Sequence, residues 1–319
     1  MDNIYDLIII GAGPAGLSAS IYASRYKLEH LVFGVEQGGQ MNEIYDLENW
    51  PGEKKISGAD LISKFVEHVE GFGAKINRES VAGISKLEDG TFEINCAKNV
   101  YKTRAIILAM GAHYRKMNIP GEKEFTGRGV SYCATCDAMF FREKTVCVIG
   151  GGNSAAVVAL ELTDFAKKVY LITKEEKMSA EPAWLEKIVQ NSKIELVKGT
   201  GVIEIKGRKN PADSRPEGEN KVEKVVLDKA YNDKNNLEVD GVFIEVGTEP
   251  GVELAQKIGV MTDEKNYIKV KEDMSTNVPG VFAAGDITTG SSKFRQILTA
   301  SSEGAISANS AYKMLKLKQ

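Results

Sequence analysis

The chain has 319 residues, of which 43% are hydrophobic and 27% charged, a composition typical of a folded globular protein rather than a disordered one. This length suggests two domains with ordinary buried cores. A net charge of −3 gives no reason to expect a nucleic-acid or membrane-surface partner. No apolar run approaches the roughly 18 residues of a membrane span, and the amino end lacks the basic region of a signal peptide.

Four cysteines are too few for a secreted disulfide scaffold, so we expect a reducing, cytoplasmic setting. Cys133 and Cys136 are separated by two residues, a spacing that favours a reactive thiolate and reversible disulfide exchange. The same spacing forms half of a zinc site, so the pair alone leaves both interpretations open. Cys96 and Cys147 lie in predicted strands and the three histidines are scattered, so we expect no metal.

The amino-terminal stretch has the pattern of a strand, a glycine loop and a helix. Residues 7–10 form a continuous apolar run, typical of a strand buried on both faces of a parallel sheet. A G-x-G-x-x-G loop follows at 11–16, and a helix is predicted at 17–26. Glycines at this spacing permit a tight turn, close approach of a pyrophosphate and close helix packing. The pyrophosphate would lie on the positive N-terminus of the helix.

Several weaker signals follow this first motif. Residues 38–40 and 48–52 have the composition of loops, and an amphipathic helix is predicted at 59–72. Alternating residues at 91–96 indicate an antiparallel strand. Residues 105–112 predict a buried strand that ends in a turn of small residues, where a flavin-binding fold returns to its cofactor.

A second strand, glycine loop and helix begins with the apolar run 146–149. The loop at 150–155 has the form G-x-G-x-x-A. Two such motifs predict an α/β fold of two Rossmann-like dinucleotide-binding domains, each a three-layer ββα structure, with the second inserted in the first. We expect a discontinuous outer domain at 1–115 and 248–319 and an inserted domain at 116–247.

The stretch after the next predicted strand bears on nicotinamide specificity. A 2′-phosphate calls for arginine, whose planar fork binds two oxygens at once. Residues 173–180 contain no arginine, and Glu175 would repel a phosphate. An acid at the end of the strand could bind an NAD ribose, but Thr173 occupies that place. We interpret this stretch as a solvated turn of mixed charge, and residues 206–218 as a long exposed hairpin loop.

The carboxyl-terminal part contains a further candidate cofactor contact. Residues 280–286 predict a strand that ends in a Gly-Asp pair, and Asp286 could accept a hydrogen bond from a ribitol hydroxyl of a flavin. Arg295 and Gln296 precede a helix of small residues at 298–315, which is suited to close packing over a cofactor.

Together these motifs resemble the low-molecular-weight, bacterial-type thioredoxin reductases over nearly the whole chain. The matching stretches are 11–16, 38–40, 48–52, 129–137, 285–286 and 295–296. The resemblance implies a homodimer with FAD in the outer domain and a C-x-x-C in an inserted domain that rotates between flavin and thioredoxin. It implies that Cys136 faces the flavin, Cys133 attacks the disulfide of thioredoxin, and Asp137 protonates the departing thiolate. The implied cofactor-binding residues are Gly11, Gly13, Pro14, Ala15, Gly16, Gly38, Gly39, Gln40, Asn49, Gly111, Gly285, Asp286, Arg295 and Gln296.

The chain departs from this family at the nicotinamide clamp. The family signature is His-Arg-Arg, three residues, then Arg-Ala, whereas residues 173–180 here lack every arginine, and Asn153 stands where Asp is usual. In keeping the flavin and dithiol motifs but lacking the clamp, the chain resembles the clostridial ferredoxin-dependent flavin thioredoxin reductases. Each lost charge-assisted contact costs about 1.5–3 kcal/mol. We therefore expect an FAD-dependent thioredoxin reductase with ferredoxin as the electron donor.

Three alternatives stay open on the sequence alone. The enzyme could be an ordinary NADPH- or NADH-dependent thioredoxin reductase with a relaxed clamp. The flavin and dithiol could report redox state without turnover, as in a sensor. Cys133 and Cys136 could hold structural zinc, which would need two further ligands.

Overall fold

The computed structural model describes residues 4–44, 47–208 and 221–316. By its internal contacts the chain divides into two compact units, Met1–His113 with Glu249–Gln319, and Tyr114–Thr248. The domain boundaries expected from the sequence, 115/116 and 247/248, lie one or two residues from the boundaries of these units. Among the described helices, none is both long and apolar enough to span a bilayer.

The strands are β1 (Ile4–Ile10), β2 (His30–Phe33), β3 (Ile76–Asn77), β4 (Val81–Lys86), β5 (Phe92–Cys96), β6 (Val100–Leu108), β7 (Ala112–Tyr114), β8 (Val130–Ser131), β9 (Thr145–Ile149), β10 (Lys168–Ile172), β11 (Ile194–Val197), β12 (Val202–Arg208), β13 (Lys221–Tyr231), β14 (Lys234–Glu238), β15 (Gly241–Ile244), β16 (Thr248–Pro250) and β17 (Val281–Ala283). The α-helices are α1 (Pro14–Arg25), α2 (Gly58–Gly71), α3 (Glu122–Phe125), α4 (Ala134–Asp137), α5 (Asn153–Leu162), α6 (Pro182–Gln190), α7 (Glu253–Lys257) and α8 (Ile297–Lys316). Short 3-10 turns lie at Gly39–Glu43, Ala138–Phe141 and Ser291–Lys293.

The first unit is built on a sheet in the order β3-β2-β1-β6-β5-β4, with β17 also paired to β6. The β3, β2, β1, β6 and β17 pairings are parallel, whereas β5 and β4 continue the sheet antiparallel. Leu7 and Ile9 pack into a cluster with helices α1, α2 and α8, and Ile8 and Ile10 pack on the opposite face. Both faces of β1 are therefore buried, which explains its continuous apolar sequence.

The second unit has the same three-layer plan. Its parallel sheet runs β11-β10-β9-β15-β8, and a separate antiparallel sheet runs β12-β13-β14. Val146 and Val148 pack against α5 and α6, whereas Cys147 and Ile149 pack against the antiparallel layer. Two Rossmann-like ββα units, the second inserted in the first, confirm the predicted fold class.

Some boundaries differ from the sequence expectation for local reasons. Helix α1 begins at Pro14 rather than 17, because proline is accommodated at the first helical position. Strand β6 ends at Leu108, and Gly111 lies beyond it in a turn with φ +67°. Lys206 and Gly207, expected in a loop, belong to β12, and residues 209–218 of that expected loop lie outside the described residues.

Candidate active site

The first glycine loop joins β1 to α1 and leaves an open space at the helix N-terminus. Gly11 has a φ of +118°, and a Cβ on it would lie 2.0 Å from the Ala109 carbonyl oxygen. A Cβ on Gly16 would lie 1.8 Å from the Gly11 carbonyl oxygen, so α1 packs directly on the turn. Gly13 caps α1 without a side-chain hydrogen bond, and the nearest atom to its Cβ position is the Gly38 carbonyl oxygen at 3.9 Å. The loop therefore offers an uncapped, positive helix end to an anion.

Gln40 provides a second sign that this region accommodates a ligand. It lies in the 3-10 turn after Gly38, whose N–H donates to the Ala12 carbonyl oxygen at 2.8 Å. The Gln40 Nε2 atom is buried and has no hydrogen-bond partner among the described residues. A buried donor left unsatisfied costs about 1–3 kcal/mol. A polar ligand at this position would remove that cost.

Segments far apart in the sequence meet around the same loop. A Cβ on Gly285 would lie 3.0 Å from the Ala15 Cβ, so the Gly-Asp turn after β17 packs on the first turn of α1. Asn49 Nδ2 donates to Gln296 Oε1 at 3.0 Å across 247 residues of sequence. The first unit thus brings together candidate residues from its amino-terminal, central and carboxyl-terminal segments.

Asp286 lies in an environment that opposes its negative charge. Burial, reinforced by the nearby Glu303 carboxylate, raises the pKa of Asp286 to about 6, although Arg295 acts in the opposite direction. Arg295 Nε donates to the Asp286 carbonyl oxygen at 3.3 Å, and its guanidinium carbon lies 3.7 Å from the centroid of the buried Tyr267 ring. A carboxylate buried at such a cost is suited to accept a hydrogen bond from a hydroxyl or amide of a ligand.

The C-x-x-C lies at the start of helix α4 in the second unit. Cys133 and Cys136 form a disulfide. Cys133 is the N-cap residue of α4, and its sulfur accepts the Cys136 backbone N–H at 3.1 Å. Ala134 is buried in the cluster that contains α5, while Cys136 is exposed and Cys133 and Asp137 are partly so. A sulfur that accepts a helix N-terminal N–H is stabilised as a thiolate after reduction.

The two residues that precede Cys133, Ser131 and Tyr132, are both held by hydrogen bonds. Tyr132 donates its phenol to Glu122 Oε1 at 2.6 Å, and Ser131 Oγ accepts the Cys133 backbone N–H at 3.1 Å. Ser131 Oγ also lies 3.1 Å from the Cys133 carbonyl oxygen, to which it donates. Glu122 is only 3% exposed despite its charge.

The cysteines do not assemble a metal site in the part of the chain described. No group of three or more His, Cys, Asp or Glu side chains in these ranges could hold a metal ion. Cys147 is buried in β9, where burial raises its pKa, and Cys96 ends β5, where burial also raises its pKa.

The second glycine loop has polar side chains of the same unit around it. Gly152 caps α5, and the Ser179 Oγ lies 3.8 Å from its Cβ position. The Gly151 carbonyl oxygen accepts the Ser179 backbone N–H at 2.8 Å. Asn153 bonds Glu181 twice, through Nδ2 to the carboxylate at 3.0 Å and through Oδ1 to its backbone N–H at 2.7 Å.

Glu175 brings a negative charge directly to this second loop. Its Oε2 lies 3.5 Å from the Cβ position of Gly151 and accepts the Thr173 hydroxyl at 2.7 Å. That hydrogen bond is the main cause that lowers the pKa of Glu175, so the group is charged at neutral pH. The sequence interpretation of a solvated turn was wrong for Thr173, which is 2% exposed.

Sequence reasoning missed several residues of these sites. The missed residues make contacts with partners that are distant in the sequence or lie in loops, so no periodic pattern reveals them. They are Glu122, Tyr132, Tyr267 and Glu303. The available signal was the position of Tyr132 next to Cys133, since Glu122 and Glu303 have polar or small neighbours in the sequence that give no sign of their burial.

Comparisons with known proteins identify the family of the chain. The profile of the family described as "Pyridine nucleotide-disulphide oxidoreductase" matches residues 5–304. The thioredoxin reductase of Bacillus subtilis (strain 168) is 40% identical over 314 residues, covering 97% of this chain and 94% of that protein. The crystal structure of Lactococcus lactis thioredoxin reductase superposes with a TM-score of 0.91 at 37% identity, covering 99% of this chain and 100% of that one.

A further similar solved structure has a different name. It is a ferredoxin-flavin thioredoxin reductase from Clostridium acetobutylicum, with a TM-score of 0.52, 32% identity and 98% coverage of both chains. The flavin of this family also fits the first unit, since the Gln40 amide has no partner in the part of the chain that the structure describes and the nearest atom to the Gly13 Cβ position is 3.9 Å away. The chain therefore belongs to the pyridine nucleotide-disulphide oxidoreductase family, among its thioredoxin reductases, which are FAD-dependent disulfide oxidoreductases.

Proposed function

We propose that this thioredoxin reductase receives its electrons from ferredoxin rather than from NADPH. The observation that carries the proposal is the Glu175 carboxylate, which lies beside the second glycine loop in a stretch, 173–180, without arginine. By the resemblance to thioredoxin reductases, a clamp for the 2′-phosphate of NADPH would be expected in this stretch.

The electrostatics of this stretch disfavour a phosphorylated nucleotide. The exposed Glu175 carboxylate repels a phosphate, and although solvent screens this repulsion, its sign is unfavourable. An arginine pair at the same place would instead add about 1.5–3 kcal/mol of binding for each charge-assisted contact. Replacing attraction by repulsion would therefore lower NADPH affinity about 10- to 100-fold. The likeness to the Clostridium acetobutylicum ferredoxin-flavin thioredoxin reductase adds support for the alternative donor.

The residues of the first unit are proposed to hold FAD. When bound, FAD accepts electrons singly or in pairs and so can link a one-electron donor to a two-electron disulfide. The uncapped start of α1 would bind the pyrophosphate, Gln40 Nε2 would donate to the cofactor, and Asp286 would accept from a ribitol hydroxyl. The proposed contact residues are those that the family resemblance implies: Gly11, Gly13, Pro14, Ala15, Gly16, Gly38, Gly39, Gln40, Asn49, Gly111, Gly285, Asp286, Arg295 and Gln296.

The proposed redox group is the Cys133–Cys136 disulfide. Two electrons and two protons convert it to a dithiol. The Cys133 thiolate would then attack the disulfide of thioredoxin, forming a mixed disulfide and releasing one thioredoxin thiolate, which Asp137 would protonate. Attack by Cys136 on the mixed disulfide would release the second thioredoxin thiol and restore the Cys133–Cys136 bond.

The donor is tested by anaerobic mixing of the FAD-loaded enzyme with NADPH, with NADH and with reduced ferredoxin. We expect reduced ferredoxin to bleach the flavin absorbance and to support thioredoxin reduction, and neither nucleotide to do so at micromolar concentration. Rapid bleaching by NADPH would overturn the proposal.

NADH is the second candidate donor, and Glu175 again supplies the reason. A carboxylate near a dinucleotide-binding glycine loop can accept the hydroxyls of an NAD ribose. Bleaching by NADH alone would select this candidate over ferredoxin.

Two further parts of the proposal concern turnover and assembly. In a reductase, Cys133→Ser should abolish thioredoxin reduction while leaving bound flavin intact, whereas a redox sensor would show no turnover even in the wild type. We also propose a homodimer working in the cytoplasm with thioredoxin and ferredoxin as partners. A single-chain mass in analytical ultracentrifugation would contradict the dimer.

A further inference from the structure

We propose that Glu122 and Tyr132 are positioning residues for the Cys133–Cys136 disulfide, acting through the backbone of Cys133. This inference rests on the proposed redox role of the two cysteines. It assigns a function to a buried carboxylate that neither the flavin site nor the nucleotide loop explains.

The Glu122 carboxylate is a buried anchor with three hydrogen-bond donors. Its Oε1 accepts the Tyr132 phenol at 2.6 Å and the Met117 backbone N–H at 2.9 Å. Its Oε2 accepts the Ile119 backbone N–H at 3.3 Å. A carboxylate can accept all three donors, whereas an amide would present an N–H₂ group to at least one of them. Replacement of Glu122 by glutamine is therefore expected to weaken the anchor without changing its volume.

The turn that carries Glu122 is itself fixed on the antiparallel layer. Gly121 has a φ of +87°, and a Cβ on it would lie 2.0 Å from the Ile205 carbonyl oxygen. The Ile205 backbone N–H donates to the Pro120 carbonyl oxygen at 2.9 Å. Thr126 Oγ1 donates to the Glu122 carbonyl oxygen at 2.7 Å. The carboxylate is thus held by a rigid turn, so its position can define that of Tyr132.

Tyr132 transmits this position to the redox pair because it directly precedes Cys133. Burial and the Glu122 hydrogen bond raise the pKa of Tyr132, so the phenol keeps the proton that it donates. Its ring stacks on Tyr114 with centroids 6.2 Å apart. The Oγ of Ser131, which precedes Tyr132, accepts the Cys133 backbone N–H and donates to the Cys133 carbonyl oxygen. The backbone of Cys133 is therefore restrained before helix α4 begins.

The expected consequence is a higher effective concentration of one thiol at the other. A restrained Cys133 keeps its sulfur near Cys136, so less conformational freedom is lost when the disulfide closes. Loss of the anchor should make the disulfide easier to reduce. A contact that only stabilised the fold would not move this equilibrium.

The experiment measures the dithiol–disulfide equilibrium of the FAD-loaded enzyme in glutathione buffers of defined ratio. After acid quenching and alkylation, mass spectrometry counts free Cys133 and Cys136. We expect Glu122→Gln and Tyr132→Phe each to lower the equilibrium constant for disulfide formation about 3- to 10-fold. The tenfold limit corresponds to about 30 mV for this two-electron couple.

Tyr231→Phe is the matched control within the same unit. Tyr231 donates to Glu195 Oε1 at 2.8 Å, a bond of the same kind between β13 and β11. We expect this variant to lose comparable stability and leave the equilibrium constant unchanged. Tyr132→Phe keeps the ring, so it supplies the result if Glu122→Gln does not fold. Equilibrium constants of Glu122→Gln and Tyr132→Phe that match Tyr231→Phe would overturn the inference.

The same measurement separates this inference from the proposed function. If the wild type formed no Cys133–Cys136 disulfide in any buffer, the redox role itself would be wrong. If the wild type formed it and the variants formed it equally well, only the positioning role would be wrong.

Discussion

The two glycine loops share a strand–loop–helix frame but differ in what lies at the helix N-terminus. The backbone is alike in both: the nearest atoms to the Cβ positions of Gly13 and Gly152 lie at 3.9 and 3.8 Å, and the carbonyl oxygens of Ala12 and Gly151 each accept a backbone N–H at 2.8 Å. Beside the first loop, the Gln40 amide has no partner among the described residues, whereas at the second loop Asn153 is hydrogen-bonded twice to Glu181. The first loop thus has an unsatisfied donor beside it, and in the second the first side chain of the helix is already engaged.

The difference teaches that a glycine motif specifies a backbone turn, not a ligand. Gly11 and Gly150 both have positive φ, and a Cβ on either would lie 2.0 to 2.2 Å from a carbonyl oxygen, that of Ala109 and of Glu245 respectively. Ligand binding is decided by the side chains around that turn. Glu175 makes the second loop acidic, whereas Arg295 accompanies the first unit's candidate site.

The largest expected effect comes from adding a methyl group to each turn. In Gly11→Ala the new Cβ would lie 2.0 Å from the Ala109 carbonyl oxygen, and in Gly150→Ala 2.2 Å from that of Glu245. Each change should cost about 3–5 kcal/mol of unfolding free energy, because backbone must move in either case. We expect Gly11→Ala to lose bound flavin and Gly150→Ala to retain it, as measured by the flavin absorbance of the purified proteins. Equal loss of flavin would show that the loops are not functionally separate.

Much of this frame was predictable because its signals are local. The apolar run of β1, the glycine spacing and the small residues of α8 each determine a short piece of backbone. Helix α8, predicted at 298–315, spans Ile297–Lys316. The spacing of Cys133 and Cys136 also marks them as a candidate pair in the sequence, and the structure has them joined in a disulfide.

The polar partners were not predictable because they are set by tertiary contacts. Asn49 meets Gln296 across 247 residues of sequence, and the Gly285 backbone N–H donates to the buried Glu303 carboxylate at 2.8 Å. The sequence alone does not distinguish a buried glutamate from a solvated one. Only the fold distinguishes Glu122 and Glu303, at 3% exposure each, from the exposed Glu175.

The next effect in size concerns Asp286, whose pKa is raised to about 6 mainly by burial. A raised pKa means that the folded state binds the proton more tightly, so this stability is fully present below about pH 4 and is lost as the pH rises through about 6. In FAD-free protein, Asp286→Asn should therefore exceed the wild type in unfolding free energy by about 2–3 kcal/mol above pH 6, and by little below pH 4. Denaturant unfolding across this pH range measures the difference.

The second loop provides the control of opposite sign. The pKa of Glu175 is lowered, mainly by the Thr173 hydroxyl, so its contribution is present at neutral pH and lost on acidification. Glu175→Gln should cause a small loss of stability at neutral pH, because the carboxylate is exposed and screened. FAD affinity should fall in Asp286→Asn and stay unchanged in Glu175→Gln. A pH-independent difference for Asp286→Asn would contradict the assigned burial cost.

The smallest expected effect is a gain of nucleotide binding in the second loop. Glu175→Arg combined with Ser179→Arg replaces a repelling carboxylate by two guanidinium groups beside Gly151 and Gly152, and should tighten NADPH binding about 10- to 100-fold. Glu175→Gln removes only the repulsion and should yield a smaller gain, while lysine at both positions lacks the bidentate fork. Calorimetric titration with NADPH, and with NADH for comparison, measures these affinities. If the folded double variant bound NADPH no better than the wild type, charge would not be the barrier. The hydrogen bonds between Asn153 and Glu181 would then be what keeps the nucleotide out, since they occupy the start of α5 in either case.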